Sequence, residues 1–164
     1  MPRTGMLRSS YVAAAGPTKE FLESGCALIV ATVADDLEPH ASRGWGLDLV
    51  GENRVRLLVD ADDHQLHANL AANSSIAISA THVPTLRSVQ LKGHTTAFAP
   101  GTDTDLHRMR RYCDQFFADI EATDGIAPEL MARIIPARLA AYRAEFDEAF
   151  DQTPGPRAGS SFTA

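Results

Sequence analysis

Three apolar runs joined by turns of hairpin length constrain this chain more than any other feature. Cys26 to Val33 is a continuous β-branched run, the mark of a buried strand. Ala34-Asp35-Asp36-Leu37-Glu38 turns the chain into a second strand from Pro39 to Val50, and Gly51-Glu52-Asn53 turns it again into a third from Arg54 to Asp60. Turns this short leave no room for a crossover helix, so the three runs form an antiparallel meander. Gly44 and Gly46 lie inside the second run, where glycine marks a bulge or the close approach of a ligand or another backbone. Ser75–Thr81 and Arg87–Ala99 are two further strands.

Helices are read around these strands. A short one covers Pro17 to Gly25, and another Asp62 to Ala71 with acids in its first turn. Asp103 to Thr123 is the clearest: Leu106, Met109, Cys113, Phe116, Phe117 and Ile120 recur at helical spacing as one apolar stripe that packs on the sheet or on a second subunit. A shorter helix spans Pro128 to Ile134 and is stopped by Pro136. Residues 138–150 are ambiguous, since Leu139, Tyr142, Phe146 and Phe150 fit a helix face in an Ala-rich setting. Strands with tight turns followed by helices indicate an α+β domain with an antiparallel sheet or barrel. A Rossmann sheet is disfavoured, and no Gly-x-Gly-x-x-Gly or P-loop pattern follows a strand.

The 164 residues suit one domain, with residues 1–16 as a loose arm and 151–164 as a turn-rich tail, mobile or docked on a partner. The net charge is −6 and Lys occurs only at 19 and 92, so the basic footprint of a nucleic-acid binder is missing. No segment has the roughly 20 apolar residues that span a bilayer. Met1 to Ser10 holds no secretory apolar run, so a cytoplasmic protein is expected. Cys26 and Cys113 sit in apolar segments and read as buried free thiols. Of six histidines, His64 and His67 share a helix face, but no third ligand has diagnostic spacing and no metal site is assigned.

The stretch Leu86-Arg87-Ser88-Val89-Gln90-Leu91-Lys92-Gly93-His94 carries the chemistry. Strand alternation puts Arg87, Val89 and Leu91 on one face and Ser88, Gln90, Lys92 and His94 on the other, the pattern of a groove floor or a solvated face. Arg87 and Gly93 stand where the fifth strand of the pyridoxamine 5′-phosphate oxidase-like, flavin-binding split barrels has the same residues. Ala31-Thr32-Val33 to Pro39 is similar to that family's opening hairpin, though Asp36-Leu37 replaces its turn glycine. Ala72-Asn73 before Ser75-Ile76-Ala77-Ile78 is similar to its helix exit, and Phe150 to Gly159 resembles the tail of one of its subgroups. In order and spacing over residues 19–100 and the late segment, the chain resembles this family.

The resemblance implies a six-stranded antiparallel split β-barrel of Greek-key type with flanking helices, residues 138–150 forming the last strand. It further implies a homodimer with flavin mononucleotide (FMN) in a groove at the interface and an oxidoreductase acting on a small molecule, the flavin carrying the redox chemistry. Cofactor-binding candidates are Arg43, Trp45, His64, Arg87, Ser88, Gln90, Lys92 and Arg157. Trp45 has two readings, a ring stacked on the cofactor or a buried or interface aromatic. The departures lie at the phosphate end. The family's Arg and Lys of the second strand fall on Ser42 and Leu47, its Ser-Arg-Lys run on His64-Gln65-Leu66 beside Asp60, Asp62 and Asp63, and its flavin-contacting Gln on Ser88. A desolvated phosphate needs charge-assisted donors, so these changes argue against the vitamin B6 oxidase itself. They leave open a deazaflavin or haem in the same fold, or a dimeric binding module without a flavin.

Overall fold

The computed structural model describes residues 18–162, so the expected loose arm lies outside the described residues. Six strands form the frame: β1 (Ala27–Val33), β2 (Pro39–Leu49), β3 (Arg54–Asp60), β4 (Ser75–Thr81), β5 (Ser88–Pro100) and β6 (Leu139–Asp151). They close into an antiparallel barrel in the order β1-β2-β3-β6-β5-β4. Between them lie α1 (Lys19–Leu22), α2 (His64–Asn73), α3 (Asp103–Asp124), α4 (Pro128–Met131) and a 3₁₀ turn at Ala132–Ile134. Helix α2 carries the chain from β3 to β4, which are not neighbours, and so makes the Greek-key crossover over one barrel end. Its contacts follow that path: Asn69 donates to the Thr32 hydroxyl of β1, and Asn73 to the Val33 carbonyl.

Residues 138–150 are strand, against their helical spacing. Tertiary pairing overrides propensity here, because β6 is flanked on both sides, by β3 and by β5. Two bulges set the shape. The β2–β3 register slips between Gly44 and Gly46, where the sequence placed a bulge or close approach, and a Cβ on Gly44 would lie 2.7 Å from that of Leu28. On β5 the register against β6 slips at Lys92/Gly93 and again at Thr95/Ala97. Gly93 permits the first slip: a Cβ there would sit 2.0 Å from the Glu145 carbonyl oxygen.

Two cores result. One fills the barrel with Leu28, Val30, Val55, Leu57, Ile78, Val89, Leu91 and their neighbours. The other lies between the barrel wall and α3, where Met109, Cys113, Phe116 and Phe117 meet Trp45, Leu58, Leu139 and Ala141. The stripe on α3 therefore packs on its own barrel. The tail is not loose as far as Phe162. The Asp151 N–H donates to the Ser160 carbonyl, the Gly159 N–H donates to the Asp151 carbonyl, and the Phe162 N–H donates to the Ala149 carbonyl. No helix of the described residues is long and apolar enough to cross a membrane.

One buried ion pair ties α3 to the barrel. Thr102 and Asp105 form a capping box, and the Asp105 carboxylate, 1% exposed, also receives Arg56 of β3 through Nε and Nη2 at 2.7–3.1 Å. Burial pushes the Asp105 carboxyl up, but the bonds from Arg56 and Thr102 outweigh it and hold the group below its usual range. Asp105→Ala removes cap and counter-charge together and leaves Arg56 uncompensated. A loss of about 3 kcal/mol in urea unfolding is expected.

The thiols are also inert by placement. Burial, helped by Asp114 and opposed by Arg43, raises Cys113 to about 12, and burial raises Cys26. Thiol reagents at pH 8 should label neither cysteine in the native protein, and both in denaturant.

Candidate functional site

Three places carry polar chemistry, and the first is the N-terminus of α2. Asp63 is its N-cap rather than a first-turn acid, and its carboxylate accepts the Leu66 N–H at 3.0 Å. Two inward-facing residues of β2 point at the same carboxylate. His40 Nε2 lies 2.9 Å from Oδ1, and the Ser42 hydroxyl donates to Oδ2. Burial raises this carboxyl, but the bonds from Ser42, Leu66 and His40 prevail and hold it below the usual carboxylate range. The helix N-terminus, with its partial positive charge, thus already holds an anion supplied by the protein.

The second place is the outer row of β5 and the segment after β6. Lys92 sits 4.8 Å above the Phe150 ring and lines an open groove of about 410 Å³ with Ala31, Ala77, Asp147 and Glu148. Gln90 hydrogen-bonds Ser79 and Gln152. Ser88, expected on an open face, is buried: its hydroxyl pairs with Thr81 at 2.8 Å and its N–H donates to Thr153. Arg87 lies just outside the strand, after Leu86 at φ 57°, and its guanidinium stacks 4.5 Å over Phe21. Arg157 is exposed and reaches Asp151 at 3.8 Å.

The remaining candidates lie elsewhere. Trp45 is 5% exposed beneath α3, so its ring faces core side chains and not a ligand. Arg43 spreads over the Trp45 and Phe116 rings at 6.0 and 5.8 Å. His64 is exposed on the first turn of α2. The structure therefore gathers Ser88, Gln90 and Lys92 along β5 with Arg87 and Arg157 near its start, and puts Arg43, Trp45 and His64 on other elements.

A third place was not legible in the sequence. His67 of α2, Phe98 of β5 and Tyr142 of β6 form an aromatic cluster, with ring centroids 5.2–6.0 Å apart. The Tyr142 hydroxyl lies 2.6 Å from His67 Nδ1, while His67 Nε2 lies 3.1 Å from the Asp60 carbonyl. His67 had been singled out only for its spacing from His64. Phe98 and Tyr142 meet only because β5 pairs with β6 in that register. Among the described residues, no three His, Cys, Asp or Glu converge as a metal ion requires.

No protein-family model and no curated protein matches this chain in sequence. Solved structures do match in architecture. An F420 reductase superposes with a TM-score of 0.53 at 16% identity, over 80% of this chain and 94% of the other. A candidate pyridoxamine 5′-phosphate oxidase from Lactobacillus delbrueckii gives 0.51 at 15% identity, over 81% and 92%. An FMN-binding protein from Syntrophomonas wolfei gives 0.50 at 9% identity, over 79% and 81%. The fold is the pyridoxamine 5′-phosphate oxidase-like split barrel.

Within this split barrel the residues present do not fit a flavin phosphate where the resemblance implies one. Ser42 donates to Asp63, Leu47 is 1% exposed inside the barrel, and Leu66 is fully buried. A phosphate dianion would meet the Asp63 carboxylate with Asp60 and Asp62 close in sequence, a like-charge arrangement. Asp63 also sets an acid limit. A carboxyl held low in the folded state adds stability above its unfolded pKa, and this is lost as pH falls through the folded value. The stability gap between wild type and Asp63→Asn should be full at pH 6 and narrow below the ordinary carboxylate pKa of about 3.9, as read by urea midpoints at pH 6 and 3.

Proposed function

We propose that this protein is a homodimeric redox protein that binds the ring system of a flavin-type cofactor in the groove beside Lys92 and acts on a small molecule there. The observation that carries the reading is the uneven covering of the barrel. Helix α3 shields the wall around Trp45, Leu58 and Ala141, whereas on the β1–β4–β5 side α2 reaches the ends of the strands and leaves outer residues such as Ala31 exposed. On that wall Ile29 is 45% exposed, and Ala31 and Ala77 line the groove with Lys92. A second copy laid on this wall would bury the apolar residues and leave Gln90 and Lys92 as donors to the polar edge of a bound ring. That structures sharing the fold are named as FMN-binding and as an F420 reductase supports the choice of ring.

The closed N-terminus of α2 refines the choice. Recognition falls on the ring, and the phosphate of FMN adds nothing at α2. A deazaflavin is the second reading, favoured by the same closure. Haem has less support: His40, His67, His82 and His94 each already have a side-chain or backbone partner, and the other two, His64 and His107, lie exposed on α2 and α3.

The test is a titration of purified full-length protein with riboflavin, FMN and a deazaflavin, followed by absorption and with mass measured in solution. Riboflavin and FMN should bind within about threefold of each other, a difference under 1 kcal/mol, to a dimer. Lys92→Ala should weaken both. An FMN preference above about tenfold would show a working phosphate site and overturn the refinement. A colourless protein that takes up none of the three would sink the redox reading.

A further inference from the structure

We propose that the cavity between α2, β5 and β6 binds a small, uncharged aromatic molecule bearing a hydroxyl or ring N–H. It is an open cavity of about 460 Å³, within the usual range for small-molecule sites, lined by His67, Phe98 and Tyr142, by apolar residues of α2 and β5, and by the hydroxyl residues Ser74, Thr95 and Thr96. The cavity lies on the β5–β6 side of α2 and shares no lining residue with the Lys92 groove, and the inference does not depend on a flavin binding there.

Three observations set the ligand class. First, Phe98 is 58% exposed at the cavity. Its register pairing with Tyr142 and its edge contact with His67 hold the ring in place rather than free to turn away. A fixed, open aromatic face favours a flat partner ring. Second, no Asp, Glu, Lys or Arg lines the cavity. Arg138 lines an adjoining cavity of about 370 Å³ that shares His67 and Phe98, and it is paired with Asp62; Arg143, the register partner of Ala97, is exposed. A charged ligand would therefore be desolvated without a counter-charge.

Third, the hydrogen-bond network fixes what Tyr142 can offer. The Asp60 carbonyl can only accept, so His67 Nε2 carries its proton, and Nδ1 of the neutral ring is the acceptor. The Tyr142 hydroxyl must then donate to Nδ1 across 2.6 Å. Its one proton is spent, and its oxygen has lone pairs left. At Tyr142 the matching group is therefore a donor, a phenolic hydroxyl or an N–H. Burial raises the Tyr142 hydroxyl above its usual pKa, so it keeps its proton to donate.

The probe is 2-naphthol, titrated by fluorescence into the full-length protein at pH 7, with naphthalene and 2-naphthoate as controls. Wild type should bind 2-naphthol saturably at one site per chain, with Kd on the order of 100 μM, and 2-naphthoate at least about tenfold more weakly. Tyr142→Phe should weaken 2-naphthol about fivefold and leave naphthalene unchanged. Phe98→Ala should weaken both by about tenfold. Circular dichroism and solution mass of each variant are recorded alongside. Absence of saturable binding to wild type overturns the proposal, as does a Tyr142→Phe variant that folds and binds 2-naphthol normally. So does a Phe98→Ala variant that halves the solution mass while keeping its naphthol affinity, because the exposed ring would then be a contact between copies.

Discussion

The pairing of β5 with β6 is the constraint on which the rest of the structure depends. β6 begins only at Leu139, 39 residues after β5 ends at Pro100 and past α3 and α4, yet it is the strand that joins β3 to β5 and so closes the barrel. Closure leaves every strand with two neighbours and removes the exposed edges of an open sheet. It works only because Gly93 lets the Glu145 backbone approach where any side chain would collide. The slip at Gly93 and the second at Thr95/Ala97 then decide which side chains of β5 face in and which face out. Lys92 beside the open groove and Phe98 beside Tyr142 are consequences of those two slips.

Electrostatics repeats one device in two places: a carboxylate at a helix start that also ties the helix to the sheet. Asp105 caps α3 and holds Arg56 of β3; Asp63 caps α2 and holds His40 and Ser42 of β2. Each satisfies donors that would otherwise be orphaned at a helix N-terminus. At α2 the device has a functional consequence, since it consumes the donors that an external anion would use. Polar satisfaction is complete elsewhere as well: among the described residues no buried side-chain nitrogen or oxygen lacks a partner.

The barrel therefore separates its tasks. One wall is sealed by α3, with Arg43 and Trp45 committed to packing. The opposite wall carries the exposed Ile29 and the open groove beside Lys92. The end beneath α2 is split: its β2 side is closed by Asp63, and its β5–β6 side opens into the His67–Phe98–Tyr142 cavity. Ligand chemistry thus falls on surfaces that the hydrophobic core leaves uncovered.

Local pattern by itself determined the first five strands, the long helix and its packing face, and the bulge at Gly44–Gly46, because alternation, helical spacing and glycine placement are short-range signals. The split-barrel topology was legible through the Arg87–Gly93 motif and its order after the meander. The sixth strand was not legible from periodicity, since Leu139, Tyr142, Phe146 and Phe150 also mark a helix, and only pairing with β3 and β5 decides between them. The site was read less completely. Spacing could show that Ser42 and Leu47 stand where phosphate ligands would, but not that Asp63 turns in to take their place. Nor could it bury Ser88, or join His67 to a tyrosine 75 residues away. Those outcomes depend on register and helix placement in three dimensions, and a chain read one neighbourhood at a time holds no record of either.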